Sequence, residues 1–494
     1  MNEQILVNIE EVWRQHRASL EDALTEAIDA LQNLLRLDEH LRHGHDTEQL
    51  ERALGPLASS NLDLRSLSRL LGQSTRSRAM APDRIGRIEA LIPALGEMKE
   101  AWSSADLETA SIEMAENEDV IRERAEAYLN QLALVFRALR ITQLEIHSKY
   151  DSPIHDPVFA NFDWRQLGPG EIQSAPPFLV VARLDDDPVP HLLKLMSLLD
   201  TGMPLKVVAL RSSFRVVHAE SSVLDVPPRL TIETLSLAMR GVHFVQSCTV
   251  TPEFEAHLLA GLAAPRPSVI SLLCPLADED QAAFQIRAER AVRSRAFPLC
   301  VYDPDRDPSF VMCFDLSSNP TPDLPWTTQA LSGHDSNGQA VELEQPFTFA
   351  EFAAFEPEFA SDFTDPPAMS DDLVLLGDYL GFSRRQRVGK LPFISLSDED
   401  GAIVRKVVSP ALVFQSSERI HLWRMLQEVS GLDNPHVKRS QTALRTELSA
   451  EHDAELESLR RELEEAVAVR EKAAVAVAVR KLVARLTGID PSSN

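Results

Sequence analysis

The stretch FLVVARLDDDPVPHLLKLMSLLDTGMPLKVVAL, residues 178–210, decides the fold class. Two apolar runs, Phe178–Ala182 and Leu205–Leu210, are rich in β-branched side chains and short enough to be strands. Between them, Val189–Leu199 spaces its apolar residues as a helix does. A strand without a polar face must be covered on both sides, so this unit predicts a parallel pair inside a layered α/β sheet. Downstream, Val242–Gln246, Ser268–Leu273 and Phe297–Tyr302 repeat the strand signature. Helical segments at Leu230–Met239, Pro252–Leu262 and Asp278–Arg293 separate them. The alternation predicts a doubly wound, mostly parallel sheet of roughly five strands between Ala175 and Tyr302.

Upstream, residues 1–150 read as a helical region. Leu20, Leu24, Ile28, Leu31 and Leu35 recur every three or four positions. Asp83 behind Pro82 opens a further helix through Ile85, Ile88 and Leu91, and a long amphipathic helix is expected from Asp106 to Tyr150. No strand is expected in this third. The α/β core with its connector is expected to occupy residues 151–345. The Pro- and Asp-rich part, Asp303–Gln345, reads as surface loop anchored by Phe310, Phe314, Leu316 and Trp326. Residues 346–435 read as a small α+β extension. It holds a helical patch at Thr348–Phe359, a hairpin from Pro392–Leu396 to Ile403–Val408 turning at Asp400–Gly401, and a helix at Ser416–Val429. Residues 436–494 form an expected long helix or coiled-coil arm, although Arg470 falls on its heptad seam.

Composition narrows the function classes. Of 494 residues, 49 are Lys or Arg and 75 are Asp or Glu, a formal charge of −26. That balance argues against a nucleic-acid phosphate backbone and against anionic lipid as partners. Apolar residues at 44% and charged ones at 25% fit a globular chain. Cys248, Cys274, Cys300 and Cys313 are too scattered for a disulfide framework. The opening MNEQILVNIEEVWRQ lacks a basic segment followed by an apolar one, and no long apolar run follows. A cytoplasmic protein is expected.

No catalytic signature stands in the chain. Gly-x-Ser-x-Gly, Gly-x-Gly-x-x-Gly, His-Glu-x-x-His and the phosphate-binding loop motif are all absent. His40, His43 and His45 read as a solvated helix end rather than metal ligands. Asp185, Asp186 and Asp187 follow the first sheet strand, where three carboxylates could hold Mg²⁺ or simply begin the next helix behind Pro188. Ser212 and Ser213 follow the second strand without an identifiable base. Arg384, Arg385 and Arg387 read as a solvated basic spot, and Cys248 and Cys274 as small buried hydrophobes.

Several collinear segments between residues 125 and 435 carry a family resemblance. Tyr150–Trp164 (YDSPIHDPVFANFDW) resembles a linker in the pyruvate:ferredoxin (flavodoxin) oxidoreductases that precedes the second half of their thiamine-diphosphate-binding domain. Leu199–Leu210 is similar to the helix-to-strand step of that domain. Ser294–Pro298, Tyr302–Pro304, Asn319–Pro320 ahead of Trp326, Gly389–Ile394 and His421–Trp423 resemble the region further on.

The resemblance implies a thiamine-diphosphate-domain-like fold, and in that family an Asp and an Asn hold Mg²⁺ on the coenzyme diphosphate. The matching positions depart from this pattern. The Gly-Asp-Gly turn falls on Arg183, Leu184 and Asp185, where leucine offers no oxygen to a hard cation. The Asn-containing loop falls on residues 215–221, with Val217 at the metal position, Ala219 and Glu220 following, and no glycine. An iron–sulfur cysteine is replaced by Leu276, and the upstream half with its cluster ligands has no counterpart. Fold alone does not assign function. The expectation is a non-catalytic, degenerate relative acting as a structural or assembly partner, with no cofactor. Oxidoreductase subunits are the expected protein partners, together with self-association through the C-terminal helix. Two alternatives stay open. One is a subunit of a split 2-oxoacid:ferredoxin oxidoreductase, with thiamine diphosphate and Mg²⁺ held by Asp185 or Asp186; the other is a coiled-coil scaffold.

Overall fold

The computed structural model describes residues 3–43, 45–55, 63–75, 79–184, 188–215, 231–334, 338–367, 372–398 and 400–487. Helices α1 (Glu3–His43), α2 (Thr47–Leu54), α3 (Leu64–Thr75) and α4 (Pro82–Ser103) follow the helical spacing of the N-terminal region. Leu20, Leu24 and Leu31 of α1 and Ile88 and Leu95 of α4 are buried, one stripe per helix. The helix expected from Asp106 does not begin there. Ser111–Glu113 forms strand β1, and α5 (Glu118–Ile146) starts where Asn117 accepts the Asp119 N–H at 2.8 Å. Three residues are too few to show a strand period; β1 exists because it pairs with the next strand. The buried Glu145 of α5 accepts the Nε of both Arg84 and Arg87 of α4 at 2.9 Å, tying the two helices.

After α6 (Ser152–Ala160) and α7 (Pro169–Ser174) come β2 (Leu179–Arg183), α8 (Pro188–Asp200), β3 (Lys206–Arg211), α9 (Ile232–Ala238), β4 (His243–Ser247), α10 (Phe254–Ala263), β5 (Ser268–Leu273), α11 (Gln281–Arg293), β6 (Cys300–Tyr302) and β7 (Phe314–Asp315). The sheet runs β1-β2-β3-β5-β4-β6-β7. Neighbours from β1 to β4 are parallel, while β6 and β7 are antiparallel. The expected strand Phe297–Tyr302 thus starts later and runs against β4. Pro298 has no N–H for a ladder, and its carbonyl accepts Gln246 Nε2 at 2.8 Å instead. One face of the sheet buries Leu179, Val181, Val208, Leu210, Ile270 and Leu272 against Ile9 and Val12 of α1 and Leu258 and Leu262 of α10. This is an α/β fold with a mostly parallel sheet, an N-terminal helical region and a long C-terminal helix.

The connector expected as loop contains a hairpin, β8 (Thr327–His334) with β9 (Ala340–Phe347). Its strands are largely solvated, so no apolar run marks them in the sequence. Then follow α12 (Phe349–Ala353), β10 (Phe363–Thr364), β11 (Leu373–Leu375), α13 (Leu376–Gly381), α14 (Arg384–Arg387), β12 (Leu391–Ser397), β13 (Ile403–Val408) and α15 (Pro410–Val429). The expected hairpin is β12–β13, turning through Gly401 at φ 77°, where glycine carries no side-chain penalty. It lies within a four-stranded sheet ordered β10-β13-β12-β11. Helix α15 begins ahead of Ser416 because Ser409 Oγ accepts the Leu412 N–H at 3.1 Å and Pro410 suits a first helical turn.

Met1–Leu426 is one compact unit and Gln427–Asn494 a second. The second holds α16 (Pro435–Thr487), 53 residues long with none buried. Among the described residues no helix is long and apolar enough to cross a membrane.

Candidate functional site

Parallel α/β sheets take ligands outside the carboxyl ends of their strands, where the connections diverge. Here that region lies beyond Arg183 of β2, Arg211 of β3, Ser247 of β4 and Leu273 of β5. Among the described residues, the chain's own side chains cover the ends of β3, β4 and β5. Phe349, Phe352 and Phe359 pack with Phe214 after β3, Cys248 after β4 and Leu273 in one buried core. The rings of Phe214 and Phe352 meet edge to face at 5.0 Å.

A carboxylate closes the loop after β3. Glu358 accepts the Ser213 hydroxyl at 2.6 Å, the Phe214 N–H at 3.0 Å and the Arg215 N–H at 3.2 Å. Arg215 in turn donates to the Glu358 carbonyl and lies 3.7 Å from Asp362. Successive backbone N–H groups with a hydroxyl form the kind of concavity that binds anions. The anion it holds belongs to the protein.

Arg287 of α11 ties neighbouring loops together. It is 7% exposed and donates to the Ser212 carbonyl at 3.0 Å, the Cys274 carbonyl at 2.7 Å and Glu279 at 2.8 Å. Glu356 lies 3.9 Å from the same guanidinium. Burial pushes the Glu356 carboxyl up to about 7; Arg287 opposes this, while Glu358 and Glu279 add to it. Glu351 of α12 is also pushed up to about 7 by burial, against hydrogen bonds from Thr348. On the α9 side, fully buried Glu233 lies 3.5 Å from Arg211. Burial raises its carboxyl, yet the charges of Arg211 and Arg419 together with hydrogen bonds from Thr231 and the Glu233 backbone hold it below the usual range.

Of the positions singled out in the sequence, Arg183 is exposed at the end of β2 and Leu184 is buried. The Leu184 N–H donates to the Leu210 carbonyl at 2.9 Å, so the ladder runs one residue past the strand. Asp185, Asp186, Asp187, Val217, Ala219 and Glu220 lie outside the described residues. Leu276 is 38% exposed, and its N–H donates to Glu279 at 2.9 Å. Cys248, Cys274, Cys300 and Cys313 are buried free thiols. His40 is exposed and His43 lies 3.4 Å from Asp46, but His45 is buried, so the cluster is not wholly the solvated helix end expected. Arg384 and Arg385 are exposed, as a solvated basic spot requires, whereas Arg387 is half-buried and donates to the Phe382 carbonyl at 3.0 Å and the Leu380 carbonyl at 2.9 Å, which makes it a brace.

Of the expected coenzyme positions only Arg183, Leu184 and Arg215 are described: Leu184 has no oxygen donor, and the Phe214 and Arg215 N–H groups after β3 hold Glu358. Among the described residues no three His, Cys, Asp or Glu side chains gather as a metal ion needs. Glu358, Arg287 and Glu233 were not legible as site residues. Arg287 and Glu358 are each one charged residue in a charge-rich segment, Glu233 stands alone in a mostly uncharged one, and Glu358 meets Ser213 across 145 positions of chain. Elsewhere, a groove of about 730 Å³ runs along β1, floored by Leu179, Val181 and Val208 and rimmed by Glu108, Glu113 and Glu116. Compared with known proteins, the chain matches no family model and no curated protein.

Proposed function

We propose that this chain is a non-catalytic, degenerate relative of the thiamine-diphosphate domain of 2-oxoacid:ferredoxin oxidoreductases, serving as a structural or assembly partner. The observation that carries the reading is the Glu358 carboxylate seated on the Ser213–Arg215 loop, where a sheet of this kind takes its anionic ligand. The Ser213 hydroxyl and the Phe214 and Arg215 N–H groups, engaged by an internal carboxylate, are not free for a coenzyme diphosphate. The partner is a protein: a net charge of −26 repels phosphate backbones and anionic lipid, whereas the uncovered apolar side chains of α16 suit another polypeptide. Four free, buried thiols support a reducing, cytoplasmic setting.

Calorimetric titration of the purified chain with thiamine diphosphate and Mg²⁺ tests the reading. No saturable heat is expected up to millimolar coenzyme. Saturable binding in the micromolar range would overturn it.

A further inference from the structure

The α16 sequence carries a second pattern, which rests on the assembly reading and names the partner. Leu444, Leu448, Leu456, Leu459, Leu463, Val467, Val475, Val479, Leu482 and Leu486 recur at steps of four or three, interrupted at His452 and Glu471. These ten side chains are between 49% and 79% exposed. Steps of four predominate, so the stripe drifts around a straight helix in the sense that favours right-handed winding of a mate.

The stripe has nearly the same spacing read from either end. Turned about Glu465, Leu444 meets Leu486, Leu448 meets Leu482, Leu456 meets Val475 and Leu463 meets Val467 within one residue of symmetry, while Leu459 and Val479 meet the interruptions Glu471 and His452. Charge follows the same two-fold. Residues 472–487 hold Lys472, Arg480, Lys481 and Arg485 and no acid. Their mates, residues 443–458, hold Glu447, Glu451, Asp453, Glu455 and Glu457 against Arg445. A parallel, in-register pair would set each block against itself, placing like charges together; an antiparallel pair sets acid on base. The shared length, 444–486, spans roughly 65 Å at 1.5 Å per residue.

We propose that α16 pairs with α16 of a second copy of this chain, antiparallel about Glu465. Full-length protein should sediment as a dimer. A chain carrying Glu447→Lys and Glu451→Lys should self-associate on the order of tenfold more weakly, and so should one carrying Arg480→Glu and Lys481→Glu. Mixing the two variants should restore dimers, because each acid block then meets a base block. For orientation, a Leu444→Cys chain mixed with a Leu486→Cys chain should oxidise to a 444–486 disulfide, with the four native thiols buried and out of reach.

A monomer at all concentrations, a 444–444 disulfide, or variants that fail to restore each other would overturn the antiparallel dimer. None of these results touches the coenzyme titration, and coenzyme binding would leave the dimer standing, so the two failures are distinguishable.

Discussion

Arg287 shows how one side chain can organise the strand ends. Its guanidinium satisfies the buried Cys274 carbonyl, the Ser212 carbonyl and the half-buried Glu279. Arg287→Met keeps most of the volume but leaves a carboxylate and two carbonyls without their donor. Removing one partner of such a pair costs about 3–5 kcal/mol, so urea denaturation should show a loss of that size. A loss below about 1 kcal/mol would mean that water or another cation replaces the guanidinium. Glu351 makes a second prediction with an unusual sign. Burial raises its carboxyl from 4.5 to about 7, so between these values the folded chain binds a proton that the unfolded chain does not. Stability therefore falls as pH rises through that window, by on the order of 3 kcal/mol for the full shift. Glu351→Gln is always neutral and retains an acceptor for Thr348. Denaturation midpoints between pH 5 and 8 should fall less steeply for the variant than for the parent, and equal slopes would contradict the assignment.

Helix α10 lies on the sheet at Gly261, where an added Cβ would meet Ile270 Cγ1 at 2.7 Å. Alanine would gain about 1 kcal/mol of helix propensity, but Ile270 is fully buried and has nowhere to move. Overpacking of this kind costs about 1–3 kcal/mol, so Gly261→Ala should be net destabilising in thermal unfolding; a stabilised variant would show that α10 can lift off the sheet. Elements of this type were legible in the sequence, because β2, β3 and β5 are largely apolar runs, β4 carries Phe244 and Val245 after Val242, and their helices carry one stripe each. The elements that were not legible share a physical reason. Strand β1 has three residues and exists through its pairing with β2, β6 is shortened by Pro298, and β8 and β9 are solvated. Their information lies in neighbours distant along the chain, which no local period records.

Across the whole chain, the same reasoning separates what pattern reveals from what contact reveals. The α/β class and the long C-terminal helix follow from periodicity, and they stand. The strand-end site does not, because Ser213 and Glu358 become partners only once the extension has folded onto the sheet. The expected departures from a coenzyme site rest on Arg183 and Leu184 and on the loop containing Val217, which lies outside the described residues from position 216. What occupies the described strand ends is instead a phenylalanine-rich core sealed by Glu358 and Arg287. That closure is the central claim, and amide hydrogen exchange tests it most directly. The Phe214 and Arg215 N–H groups should exchange slowly in the intact chain, and Glu358→Ala should accelerate both by on the order of tenfold or more while the amides of β3 keep their protection. If both amides of the unaltered chain exchange as fast as those of an open loop, the strand ends are not closed by Glu358 and the account fails.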